Sequence, residues 1–216
     1  MRSHSKLLAY RLLDRLGLGF LPSHRIKARR VYSLDNFIKD NQQSIPKKIK
    51  LSIDLGCGSE PRNLLNANQA VGFDIVKTTN PMVYKANLIG CDLPIESCSA
   101  DAIYAFDFLE HVPRQGFNKD SDSPFIKIMN EISRVLKPGG LFLSSTPAFP
   151  YSEAFQDPTH VNIITEKTIP LYFCQIPDNL LKPWAIQYGF CGQFELVDQA
   201  WFFHSLLHLL RKSNNS

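Results

Sequence analysis

The chain lacks any Cys-x-x-Cys pair, and its five cysteines (Cys57, Cys91, Cys98, Cys174 and Cys191) are an odd number. A disulfide framework and a thiolate zinc cage are therefore both disfavoured, and a reducing, cytoplasmic setting is expected. No uninterrupted apolar run approaches the roughly 20 residues needed to cross a bilayer. Arg11, Asp14 and Arg15 interrupt anything that could serve as the core of a signal peptide. Internal repeats and low-complexity tracts are missing as well. Acids are scarce in one region: residues 1–30 hold eight Lys or Arg against Asp14 alone, a net +7. The whole chain is +4, so the other 186 residues carry −3, and the basic character belongs to an N-terminal extension. What remains is an ordinary globular composition, 44% hydrophobic and 20% charged over 216 residues. That is enough for one domain with a sizeable core and at most a small appendage.

Within the extension, Leu7, Leu8, Leu12, Leu13 and Leu16 recur at helical spacing with Lys6, Arg11 and Arg15 between them. The spacing predicts a short amphipathic helix ending near Gly17 and Gly19. It would pack on the domain's flank with a solvated basic face, or touch an anionic membrane surface or acceptor. A cleavable organelle presequence is a third reading. We place the extension and its linker at residues 1–47, the main domain at 48–205 and a tail at 206–216.

The main domain opens with Leu51-Ser-Ile-Asp-Leu-Gly-Cys-Gly58, an apolar run that stops at two glycines one residue apart. Strands end this way when the next turn must bring bare backbone against a ligand. A second run, Ala70-Val71-Gly72-Phe73, ends in Asp74 about 20 residues beyond the first glycine, the position from which an acid takes ribose hydroxyls. Asp54, two residues before Gly56, shifts the reading from a dinucleotide toward S-adenosylmethionine. Ser59, Glu60 and Pro61 predict a helix start just past the glycines. Residues 82–86 and 102–106 predict further strands. Ser123 and Pro124 start the clearest helix, with Phe125, Ile128, Ile132, Val135 and Leu136 on one face and Pro138-Gly139-Gly140 as its stop. A fifth strand is expected over 141–145, a helix from Thr165, closing strands over 184–190 and 194–204, and a buried edge helix over 206–210.

Strands alternating with helices imply an α/β fold, a Rossmann-like, doubly wound and mostly parallel sheet with helices on both faces. Ligands in such sheets bind at the carboxyl ends of the strands. Gly56, Asp74, Asn87, Asp107 and Thr146 all fall at such ends.

At this point the sequence resembles the class I S-adenosylmethionine-dependent methyltransferases, the methyltransferase type 11 group, over about residues 48–170. The resemblance is carried by Ile53-Asp54-Leu55-Gly56-Cys57-Gly58, Val71-Gly72-Phe73-Asp74, Asp92-Leu93-Pro94-Ile95 leading to Ser99-Ala100-Asp101-Ala102, Asp107-Phe108-Leu109-Glu110-His111-Val112, and Glu131 through Gly140. It implies S-adenosylmethionine as cofactor. Backbone around Gly56, Cys57 and Gly58 would pass under its methionine part, and Asp54 would face its amino group directly or through water. Asp74, with Ile75 beside it, would hold the ribose. Asn87 and Leu88 would meet the adenine, and the Phe106 carbonyl would lie near the methionine ammonium. Glu60 stands where many relatives have a third glycine, which bears on cofactor affinity. Cys57 reads as a small filler between glycines.

Methyl transfer from a sulfonium needs chiefly alignment and exclusion of water, with a base for a hydroxyl acceptor. Candidate catalytic residues are His111, His160 and Asp107. His160 lies in Asp157-Pro158-Thr159-His160, similar to a motif of relatives associated with surface-glycan clusters, and Phe149, Tyr151 and Phe155 could wall an acceptor pocket. No metal-ligand cluster stands out, and none is expected. No Asn/Asp-Pro-Pro-Tyr segment follows the fourth strand, and nucleic acid is disfavoured because only the +7 segment would attract it. The expectation is O-methylation of a small-molecule or glycan acceptor, with peripheral membrane contact through the basic extension as a possibility. The alternatives are an inactive relative acting through partners and, less favoured, a nucleotide-dependent oxidoreductase.

Overall fold

The computed structural model describes residues 28–89, 91–116, 123–175 and 182–214. The amphipathic helix expected over Leu7–Leu16 lies outside them. The central strands are short apolar runs buried on both faces, as strands in the middle of a parallel sheet must be. β2 (Leu51–Leu55) lies between β3 (Gln69–Asp74) and β5 (Ala100–Phe106), parallel to both. β4 (Val83–Lys85) forms one edge beside β3. On the other side β6 (Leu136–Pro147) runs parallel to β5. The long strands β8 (Phe194–Phe202) and β9 (Ser205–Lys212) form a hairpin in which β9 is antiparallel to both β6 and β8. β1 (Arg29–Val31) and β7 (Cys174–Gln175) cap the outer edge of β8. The order is therefore β1-β8-β9-β6-β5-β2-β3-β4, nine strands with β7 among the described residues. The chain reverses its direction of travel across the sheet between β2 and β5, which makes their carboxyl ends the place for a ligand.

Three helices flank the sheet among the described residues. α1 (Leu34–Asp40) starts where the Ser33 hydroxyl accepts from the Asn36 amide at 3.1 Å, and it buries Phe37. α2 (Pro124–Val135) starts as its sequence predicts, the Ser123 hydroxyl accepting from the Ile126 amide and Pro124 in the first turn. Its Ile128, Ile132 and Val135 pack with Ile53, Ile103 and Phe142 on one face of the sheet, joined by Ile169 and Phe173 of α3 (Thr168–Phe173). The opposite face holds Tyr104, Leu141, Leu143, Leu207 and Leu209 against Phe37, Leu64 and Leu65.

The fold class is as expected, and four local expectations are corrected. No helix follows Gly58. The Asn63 side chain instead accepts from the Ala67 amide at 2.7 Å and donates to its carbonyl at 2.9 Å, and Asn66 takes φ +54°. Such side-chain bonds compete with helical ones. Residues 184–188 form a 3-10 turn instead of a strand. The segment 206–210 is the middle of β9, not an edge helix, so the boundary at 205 falls inside a hairpin and residues 206–212 belong to the sheet. Part of the extension joins the sheet as β1, held to β8 by Arg29, which donates to Asp198 at 2.8 Å.

Candidate functional site

The turn after β2 is built for close approach. Gly56 and Gly58 take φ +70° and +65°, where side chains are strained. A Cβ on Gly56 would meet the Phe108 ring at 2.9 Å, whereas one on Gly58 would meet nothing within 4 Å. Gly58 thus presents bare backbone to open space. Gly72 is required for packing, since a Cβ there would lie 2.3 Å from the Cys57 sulfur. Cys57 is buried, and burial, with the charges of Asp54 and Asp74 beside it, pushes its thiol up to about 11. It is a filler, not a nucleophile.

Asp74 ends β3 next to this turn. One carboxylate oxygen accepts from the Gly58 amide at 2.8 Å and the other from the Val76 amide at 2.8 Å. Each oxygen keeps a lone pair for a further donor. Ile75 and Val76, both 63% exposed, flank it with apolar surface facing water. Asn87, past β4, turns its side-chain oxygen onto the Ile89 amide at 3.1 Å, while Leu88 is buried in the core. Leu88 can therefore offer a ligand its backbone only.

Asp54 is fully buried within β2. One of its oxygens accepts from the Arg62 amide at 2.8 Å and the Arg62 guanidinium at 3.1 Å, and the other has no partner. Burial raises its pKa despite Arg62. Arg62 also lies over the Phe106 ring, 5.0 Å from its centroid. The sequence reading missed this arginine, whose only signal was a lone cation in the segment after the glycines.

The third part of the site lies beyond β5. Asp107 holds a left-handed backbone (φ +51°) and is exposed at the strand end. Its neighbours Leu109–His111 form a 3-10 turn zipped to the segment 157–163. The Glu110 carbonyl accepts from the Val161 and Asn162 amides, the Asn162 side chain donates to the Leu109 carbonyl at 3.0 Å, and Arg114 bonds the Asn162 side chain and the Ile163 carbonyl. This zipper brings His111 and His160 together edge to face, ring centroids 4.9 Å apart. Nδ1 of His111 lies 3.2 Å from the Thr159 carbonyl, which can only accept, so Nδ1 carries the proton and Nε2 the free lone pair. The Thr159 hydroxyl donates to Asp157 at 2.6 Å and can accept from the same Nδ1 at 3.0 Å. His160 approaches Asp157 through Nε2 at 4.0 Å, and its Nδ1 is buried without a partner.

Beside the histidines, Glu110 is 0% exposed with neither carboxylate oxygen hydrogen-bonded. Burial, reinforced by the charges of Asp107 and Asp157, pushes its pKa up to about 8. Ligand atoms of Glu110, His111 and His160 all lie within 4.8 Å of one another. The grouping was not legible in the sequence, because His111 and His160 are 49 positions apart and only the zipper joins them. Phe149 and Phe155, both more than half exposed, pack edge to face nearby in the chain, while Tyr151 turns inward onto Trp201.

Residues 53–144 match the family model described as a methyltransferase domain. No curated protein matches the chain in sequence. Among solved structures, a chain from the complex between the Haloferax volcanii Trm112 methyltransferase activator and a methyltransferase is 13% identical, over 83% of this chain and 93% of that one, with a TM-score of 0.52. An S-adenosylmethionine-dependent methyltransferase from Clostridium acetobutylicum is 11% identical over 83% and 90%, TM-score 0.52. The [4+2]-cyclase SpnF is 15% identical over 83% and 80%, TM-score 0.51. At these identities the likeness is one of fold.

Proposed function

We propose that this chain is a class I S-adenosylmethionine-dependent methyltransferase that methylates a hydroxyl of a small-molecule or glycan acceptor, a reading supported by its match to a methyltransferase domain over residues 53–144 and by its fold. One observation carries the reading. The bare backbone at Gly58 and the Asp74 carboxylate lie at adjacent strand ends, and the His111–His160 pair follows the next strand over.

The residues present fit S-adenosylmethionine. Gly56 and Gly58 leave room for its methionine part, and Asp74 has a lone pair on each oxygen for the ribose hydroxyls. Ile75 and Val76 supply apolar surface for the adenine, with Asn87 and the Leu88 backbone at its edge. Asp54, fully buried, is held by the Arg62 amide and guanidinium and anchors the segment that follows the glycines. The cofactor supplies an activated methyl group, so the protein's task is alignment and proton removal. In this reading His111, whose Nε2 makes no hydrogen bond among the described residues, would take the acceptor's proton, and Asp107 is exposed at the end of β5. The exposed rings of Phe149 and Phe155 suit the face of a sugar.

Calorimetric titration with S-adenosylhomocysteine, with Asp74→Ala as control, tests the cofactor half. Saturable binding is expected, weakened at least tenfold (about 1.4 kcal/mol) in the variant. Transfer of labelled methyl to sugar and small hydroxyl acceptors tests the other half. Turnover of RNA or peptide alone would overturn the acceptor class.

A further inference from the structure

Glu110 presents a physical problem that the methyl-transfer reading leaves unsolved. A carboxyl group with no exposure and no hydrogen bond on either oxygen must either stay protonated or meet a cation. Two imidazoles stand next to it, and His111 is arranged as metal ligands usually are. A ligating histidine uses one nitrogen for the ion and gives its other N–H to a carbonyl or carboxylate. His111 directs Nδ1 at the Thr159 carbonyl and keeps Nε2 free. His160 directs Nε2 toward the Asp157 carboxylate and keeps Nδ1 buried and unpartnered. Thr159 thus orients the His111 ring, and Asp157 lies 4.0 Å from His160 Nε2. We propose that Glu110, His111 and His160 form a binding site for a divalent transition-metal ion.

The dimensions and chemistry suit such an ion. Ligand atoms up to 4.8 Å apart must close slightly, because bonds of about 2.1 Å keep the ligands of one ion within roughly 4.2 Å of one another. Small side-chain rotations supply the difference. Two imidazoles and a carboxylate, without thiolate, favour manganese, iron, cobalt or zinc over magnesium or calcium. Three protein ligands leave coordination positions open to water or to a further ligand.

The use of the ion rests on the methyl-transfer reading; its binding does not. With the ion bound, His111 Nε2 is a ligand and no longer a base, and an acceptor hydroxyl on the ion would lose its proton to solvent near neutral pH. The resulting oxygen forms the new O–C bond while the S–C bond of the sulfonium breaks, its electron pair remaining on sulfur. An ion held by two hydroxyls of the acceptor would also select vicinal diols, which sugars and catechols share.

The test is a calorimetric titration of the EDTA-stripped full chain with Mn²⁺ and Co²⁺, repeated on Glu110→Gln, His111→Ala and His160→Ala. S-Adenosylhomocysteine binding is measured on the same samples. One equivalent of metal is expected, weakened at least tenfold in each folded variant, with S-adenosylhomocysteine binding within about twofold of wild type. The Co²⁺ form should show ligand-field bands and no thiolate charge-transfer band. The absence of saturable uptake, unchanged uptake in the His111→Ala variant, or a thiolate band that assigns the metal to cysteines would each overturn the site. Metal uptake without S-adenosylhomocysteine binding would uphold the site and sink the methyl-transfer reading; the reverse result would do the opposite.

Discussion

Individual residues around the glycine turn show how tightly the site is fitted. Gly72 has no room for a Cβ because the Cys57 sulfur occupies the place, with Pro61 also close. Gly72→Ala should cost about 1–3 kcal/mol by overpacking. Adding Cys57→Ala should recover part of that loss, and the coupling is measurable by urea denaturation of the two single variants and the double. Equal losses in the single Gly72→Ala and the double variant would contradict the packing account. The glycines and Asp74 were legible in the sequence because their types alone report the demand: positive φ, close approach, a carboxylate at a strand tip. Arg62 and Asn162 were not, since an arginine or asparagine in a loop announces nothing until its partner is known. Glu110 was hidden for another reason. An acid beside a histidine carries no sequence signal of burial, and only the fold shows that Glu110 is buried.

Among elements, β9 is the instructive case. Leu206-Leu207-His208-Leu209-Leu210 is apolar almost throughout, and periodicity cannot tell a fully buried strand from a buried helix in so short a run. The Ser123–Pro124 start of α2 was readable because a cap is a local signal, whereas the position of β9 depends on two partners elsewhere in the chain. That position has an electrostatic consequence. His208 pairs with Ser144 on β6 and Gln199 on β8, is fully buried, and has no partner on either ring nitrogen. Burial lowers its pKa to about 3. The unfolded imidazole titrates near 6.5, so the unfolded state binds the extra proton between those limits. Its contribution to stability is complete above about pH 6.5 and is lost as pH falls toward 3, at up to about 1.4 kcal/mol per pH unit. Glu110 in the metal-free protein runs the other way. Its folded pKa of about 8 exceeds its unfolded value, so that contribution is present below about pH 4.5 and lost as pH rises through 8. Between about pH 4.5 and 6.5 the two slopes oppose each other. Urea midpoints of the stripped protein should therefore vary less across that interval than those of a variant lacking either group. His208→Leu should make stability fall with rising pH there, and Glu110→Gln should make it rise. Parallel pH profiles for the two variants would refute both assignments.

At the scale of the whole molecule, the sheet is completed from its interior. The sequence revealed the alternation of strands and helices and the strand ends that meet at the switch point between β2 and β5. It did not reveal that the last described strand lies between β6 and β8, because strand order is a property of pairings and not of any one segment. A chain shortened to residue 204 should accordingly lose cooperative unfolding and near-ultraviolet ellipticity, since both β6 and β8 lose a partner along most of their length. A shortened chain that melts cooperatively near the full chain's temperature would contradict that dependence. The same topology matters during synthesis. β6 ends at Pro147 and β9 begins at Ser205, so the open edge of β6 must wait for 58 further residues before its neighbour exists. At about 5–20 residues per second that is roughly 3–12 s of translation with an apolar strand edge uncovered. Within that interval a ribosome-associated chaperone, or a neighbouring nascent chain, competes for the place that β9 will fill, and yield in the cell is set by who arrives first.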